Sequence, residues 1–270
     1  MSDNSDHGQR DDDGAGDSRA QPQYSLPQIL GIWLAVTLPM GLLAWVATPA
    51  LIPHVSLHPG IVFWLMMLVG LSWQFTFALL IVRREEGDIR WATLRRRMWY
   101  QTPRDPRSGQ PRARLLWWVV PFMVLRVGLI ALALPDVVSW LVPAVAELPT
   151  HDLGELATPA YEGAWWLMAM ALVHVPLNYF LAEEFLFRGI LLPRMRGVFG
   201  RWDWFANGVL FGLYHVHKPL IMFWSALLTG FVFSYPARRF RSNWMAVIIH
   251  GAEGIVVLVA VLGIVLGVAQ

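Results

Sequence analysis

The length of its apolar runs constrains this chain more than any other feature. Several runs approach or exceed the roughly 18–20 consecutive apolar residues that cross a bilayer. Of its 270 residues 56% are hydrophobic, and the mean hydropathy is +0.47. That is too apolar for an ordinary soluble domain and implies a polytopic membrane protein. Seven spans are expected, at about 28–52, 60–82, 115–134, 164–193, 203–217, 219–236 and 244–268. The predicted fold class is therefore an all-α transmembrane helix bundle occupying 28–270. The fifth and sixth spans are short and are divided only by His217-Lys218-Pro219.

The connecting segments alternate in charge. Ten arginines lie between Arg83 and Arg114, whereas 135–163 carries Asp136, Glu147, Asp152, Glu155 and Glu162 with no Lys or Arg. Arg194, Arg196 and Arg201 follow, then Arg238, Arg239 and Arg241. Positive loops stay in the cytoplasm, so the expected topology has the N-terminus cytoplasmic, 135–163 outside and the C-terminus outside. The basic residues are 20 Arg and one Lys, Lys218. Beside membrane spans they fit topology and contact with anionic lipid, and nucleic acid is not an expected partner. The chain has no cysteine, which removes disulfides, thiolate metal ligands and a cysteine nucleophile. Residues 1–27 contain six Asp and form a polar tail that cannot bury a core and is expected to be disordered. The tail does not resemble a signal peptide, so the first span is expected to stay attached as an anchor. The Arg-rich composition and acidic tail look bacterial, placing the protein in a bacterial plasma membrane.

Against this background, ionisable residues inside spans are expensive and point to function. Glu183 and Glu184 lie in the fourth span, within an otherwise apolar stretch from Leu177 to Leu192. Glu184 and Arg188 stand at i and i+4 with the acid first, the favourable order for a helical ion pair. Glu183 is about 100° round the helix and need not share that arginine. It is the candidate general base.

His215 shares a helix face with Phe211, and Gly212 beside it allows another helix to approach. His250 lies among Gly251, Glu253 and Gly254. Glu253 either orients the imidazole or pairs with Arg126, and the second reading is favoured. His217 is expected at the interface and His174 to be structural, while Asn178 could bridge helices. At 1.5 Å per residue, Glu183, His215 and His250 lie about 16, 18 and 14 Å below the cytoplasmic face, so they should share one depth. There is no His-Glu-x-x-His zinc motif, no Gly-x-Ser-x-Gly elbow and no pair of mid-span aspartates.

The ordered set Glu183-Glu184-x-x-x-Arg188, Phe211-x-x-x-His215 and His250, over roughly 170–258, resembles the CPBP family. That family contains the type II CAAX prenyl endopeptidases and the bacteriocin-processing Abi-like membrane proteins. The resemblance implies an intramembrane glutamate-dependent endopeptidase acting on a membrane-associated protein or peptide. Glu183 matches the family's water-activating glutamate, and Glu184 and Arg188 match its companions. His215 and His250 match the histidines that help bind the water, a metal or the oxyanion. A zinc ion on Glu183, His215 and His250 is one implied form of the site. One position departs from the pattern: the family's third motif has Asn or Asp four residues after the histidine, and here that residue is Gly254. Asn207 or Glu253 could compensate, and Gly254→Asn is expected to be neutral or to raise activity.

Two other functions compete. Gly254 favours a non-catalytic membrane immunity or assembly factor. An ion- or proton-coupled transporter would also use buried acids and histidines, but no internal repeat supports it.

Overall fold

The computed structural model describes residues 22–132, 151–218 and 220–268. Most of the acidic tail and part of the expected outer loop 135–163 lie outside the described residues.

Among the described residues every regular element is helical. α1 (Leu26–His54) begins at a capping box in which Ser25 and Gln28 satisfy each other's backbone N–H groups, with proline in the first turn. α2 (Pro59–Glu86) starts at a His58 cap and stops at Gly87, whose φ of 81° is the left-handed conformation that ends helices. A short α3 (Trp91–Arg97) precedes α4 (Ala113–Ala131). α5 (Trp165–Arg194) is followed by α6 (Asp203–Tyr214), α7 (Leu220–Phe240) and α8 (Trp244–Val265).

Five of these helices, α1, α2, α4, α5 and α8, are long and apolar enough to cross a membrane. They coincide with the first, second, third, fourth and seventh expected spans, and the molecule is an integral membrane protein. α6 and α7 occupy the other two segments and pack against each other as a hairpin. Their contact is closer than side chains would permit. A Cβ at Gly208 would lie 2.7 Å from the Phe231 nitrogen, and one at Gly212 would lie 2.5 Å from Leu227 Cα. This is a small-xxx-small helix contact, with Gly230 on the opposing helix. Gly212 thus has its expected role.

α5 is not a regular α-helix. Pro176 lacks the N–H that would continue the ladder, and directly after it the helix widens into π-helical turns over Leu177–Ala182 and again over Phe185–Leu191. Such turns concentrate at functional sites. The irregular helix is held by side chains from elsewhere. Asn243 donates to the Glu184 carbonyl at 3.1 Å, Asn207 to the Phe187 carbonyl at 2.8 Å and Arg97 to the Gly189 carbonyl at 3.1 Å.

Arg97 also belongs to a charged lock where α2, α3 and the end of α5 meet. It contacts Glu85 at 2.9 Å and the Tyr24 hydroxyl at 3.0 Å. Arg194 contacts Glu85 at 2.6 Å and Glu86 at 3.3 Å, and Tyr24 donates to Glu85. These bonds fix the N-terminus of α1 and the C-terminus of α5 to one end of α2.

Candidate active site

α5, α6 and α8 bring Glu183, Glu184, Arg188, His215 and His250 into one buried cluster. Both glutamates and Arg188 are wholly inaccessible, and each histidine is 4% exposed. Arg188 pairs with Glu184 at 3.2 Å and donates to the Gly230 carbonyl at 3.0 Å. Its guanidinium carbon also lies 4.0 Å from the centre of the Phe211 ring, a desolvated cation–π contact. Glu184 has a second partner that the sequence did not suggest: His250 Nδ1 lies 2.9 Å from the same carboxylate oxygen.

Glu183 differs. Among the described residues neither of its carboxylate oxygens has a hydrogen-bond partner, although both are buried. His215 Nε2 lies 3.9 Å from one oxygen and His250 Nε2 lies 3.7 Å from the other. These separations exceed hydrogen-bond length but leave the three groups facing one another. The common depth expected from the sequence is met by common position.

The hydrogen bonds of the two imidazoles define what they present to Glu183. His215 Nδ1 lies 2.8 Å from the Phe211 carbonyl oxygen, which can only accept, so the proton sits on Nδ1. His250 Nδ1 faces a carboxylate oxygen already paired with Arg188, and the same reasoning puts its proton on Nδ1. In their neutral forms both histidines therefore turn an Nε2 lone pair towards Glu183. In this tautomeric state the two Nε2 atoms accept hydrogen bonds from a guest rather than donate them, which fits the holding of a water among the expected roles of the histidines. Two imidazoles and a carboxylate are donor types that zinc accepts. The arrangement is not closed around an ion, however: among the described residues no group of three or more His, Cys, Asp or Glu side chains is placed to hold a metal.

Several neighbouring residues differ from expectation. His217 is buried, not interfacial; its Nδ1 faces the Tyr214 carbonyl at 2.9 Å, and its ring stacks on His215 at 5.6 Å. The turn places it there, because the chain leaves α6 through a 3₁₀ turn at His215–His217 that rotates it inward. Asn207 cannot stand in for a missing amide, since its nitrogen is bonded to Phe187 and its oxygen accepts from Ser234 at 2.8 Å. Glu253 pairs with Arg126, and it also approaches His250 Nε2 to 3.6 Å.

Gly251 faces open space, so of the two glycines beside His250 it is Gly254 that thins α8. A Cβ at Gly254 would lie 2.5 Å from Val175 and 3.0 Å from the Tyr179 ring. That ring meets His250 edge-on at 4.8 Å. The space beside Gly254 is thus filled by α5, and Gly254→Asn is sterically opposed rather than neutral.

Two site neighbours had no clear signal in the sequence. Gln74 on α2 is wholly buried and accepts from the Tyr214 hydroxyl at 2.8 Å. Lys218, which the sequence marks only as a turn residue, lies close enough for its charge to act on Glu183, His215 and His217. That it is the single lysine among 21 basic residues was the available clue.

Residues 161–256 match the family model described as Type II CAAX prenyl endopeptidase Rce1-like. The matched segment contains all five clustered residues and supports the CPBP/CAAX protease family. Neither the curated proteins nor the solved structures offer a match.

Proposed function

We propose that this chain, whose residues 161–256 match the type II CAAX prenyl endopeptidase Rce1-like family model, is an intramembrane endopeptidase that uses Glu183 as its base. The observation that carries this reading is the Glu183 carboxylate, buried, unbonded and faced by two imidazole lone pairs. A buried carboxylate without a donor is costly, and a fold that retains one needs a guest to complete it. Water is the guest with the right chemistry. It gives one O–H to Glu183 and the other to an Nε2, and its oxygen lone pair is left for a peptide carbonyl.

The reaction then follows from the groups present. Glu183 takes a proton as the water oxygen bonds to the carbonyl carbon, and the carbonyl π electrons move to oxygen. A positive charge whose field reaches Glu183, the Lys218 ammonium, would favour that oxyanion. When the intermediate collapses, the C–N bond breaks and the Glu183 proton passes to the departing nitrogen. The products are a carboxylic acid and an amine, which become a carboxylate and an ammonium once the acid's proton passes to the amine. Glu184 and Arg188 touch no reacting atom; they hold His250 in its tautomer and orientation. Because the cluster sits inside a membrane bundle, the substrate is a membrane-associated protein or peptide.

The test uses detergent-purified protein and a library of membrane peptides. Wild type is expected to cleave a subset and Glu183→Gln to cleave none. Cleavage by Glu183→Gln at the wild-type rate would refute the assignment of the base. A wild type inert towards every peptide would favour a non-catalytic binder.

A further inference from the structure

A second polar site lies where the chain leaves α5, enters α6 and leaves α7. A cavity of about 540 Å³ opens there, lined by Arg104, Arg196, Arg201, Arg238, Arg239 and Arg241. Only two carboxylates share it, Asp105 and Asp203. Both are already engaged: Asp203 with Arg238 at 2.5 Å, and Asp105 with Arg112 at 3.3 Å and with the backbone N–H groups of Arg107 and Ser108. Among the described residues Arg196, Arg201, Arg239 and Arg241 have no carboxylate within 4.0 Å. Four like charges are thus gathered around one space without a carboxylate partner among the described residues. The Arg241 guanidinium registers the crowding: burial, and then the charges of Arg238, Arg104 and Arg196, hold it below its usual range.

The walls are fixed by bonds that do not use those four arginines. The Arg104 backbone N–H donates to the Phe240 carbonyl at 2.8 Å, and its guanidinium donates to the Gly109 carbonyl at 3.1 Å. The Asp203–Arg238 pair ties the start of α6 to the end of α7. Beside the cavity, Trp204 and Tyr235 meet edge-on at 5.1 Å, and Trp202 and Phe205 are exposed. Aromatic residues of this kind mark the headgroup level of a bilayer.

We propose that this cavity is a phosphate-binding site that takes the headgroup of an anionic phospholipid. Planar guanidinium groups recognise phosphate through paired charge-assisted hydrogen bonds, and the adjacent aromatics would lie along the acyl boundary. Free phosphate carries the same chemistry from a soluble source. The proposal stands independently of the proteolytic reading, since the cavity shares none of the clustered glutamates or histidines.

The full chain in neutral detergent is titrated with phosphatidylglycerol, with phosphatidylcholine and with inorganic phosphate, and the thermal midpoint is followed. Phosphatidylglycerol is expected to raise the midpoint saturably and phosphatidylcholine to leave it unchanged. Arg196→Gln/Arg239→Gln removes two exposed, unpaired charges and should weaken phosphatidylglycerol by about tenfold or more. Each single variant should show a smaller loss, which keeps the test available should the double variant fail to fold. Arg83→Gln/Arg84→Gln, equally basic but outside the cavity, should bind as the wild type does. Saturable inorganic phosphate with the same variant sensitivity, and no lipid response, would keep the site and assign it a soluble source. Absence of saturable binding by either probe, or an equal loss in Arg83→Gln/Arg84→Gln, would overturn the proposal.

Discussion

Two clusters of buried charge in the molecule are built by opposite rules. In the lock at the end of α2, two arginines meet two glutamates and a tyrosine, and the acids keep some access to water, with side chains 21% and 19% exposed. Charges there have partners. In the α5–α6–α8 cluster the acids are wholly enclosed; one oxygen of Glu184 takes two bonds, while its other oxygen and, among the described residues, both oxygens of Glu183 have none. The first arrangement is what holding helices together requires. The second withholds hydrogen bonds from one carboxylate and aims two lone pairs at it, which adds nothing to stability and suits chemistry.

Substitutions can test that division. Arg188→Ala should have the largest effect on folding, because it leaves Glu184 enclosed with only His250 to meet its charge. Breaking a buried pair in this way costs about 3–5 kcal/mol. The expected result is loss of expression or a much lower thermal midpoint, and unchanged melting would break the pairing account. Gly254→Asn should cost about 1–3 kcal/mol by overpacking α8 against Val175 and Tyr179. It should also lower activity by displacing His250, and a faster variant would contradict the packing reading.

Arg97→Ala should cost about 1–3 kcal/mol, less than Arg188→Ala because its acids are partly solvated. Activity per folded molecule should stay within about twofold, measured as rate against the folded fraction. A large loss of specific activity would show that the lock is not merely structural. The smallest effect concerns pH. Burial beside Glu85 pushes the Tyr24 phenol up to about 12 from 10.0. Between those values the unfolded chain loses this proton first, so stability falls as pH rises from about 10 to about 12. Tyr24→Phe should flatten that part of a thermal-midpoint profile.

Sequence and structure agree where one helix or one depth decides the outcome. The Glu184–Arg188 pair follows from an i, i+4 spacing, and the meeting of Glu183, His215 and His250 follows from their shared distance from the basic loops. The apolar runs likewise give the five long helices. What was not legible depends on how helices rotate against one another. The Glu184–His250 contact joins two helices that are far apart in sequence. The burial of His217 depends on a 3₁₀ turn that ends α6 early. The packing against Gly254 depends on π-helical turns after Pro176, which shift α5 away from the angles of a regular helix. The side-chain position that the family pattern fills with Asn or Asp at Gly254 is, in three dimensions, already filled by α5.

The central claim is that Glu183 is kept unsatisfied for catalysis, and one variant addresses both halves of it. Glu183→Gln changes the volume little and removes the base, with activity and thermal midpoint measured on the same preparation. Activity should fall by about 10²–10⁴-fold, the usual worth of a positioned base. The thermal midpoint should stay the same or rise, because a neutral amide replaces a buried carboxylate whose oxygens have no protein donor among the described residues. A variant that keeps its activity, or one that loses activity only because it has lost its fold, would contradict the account.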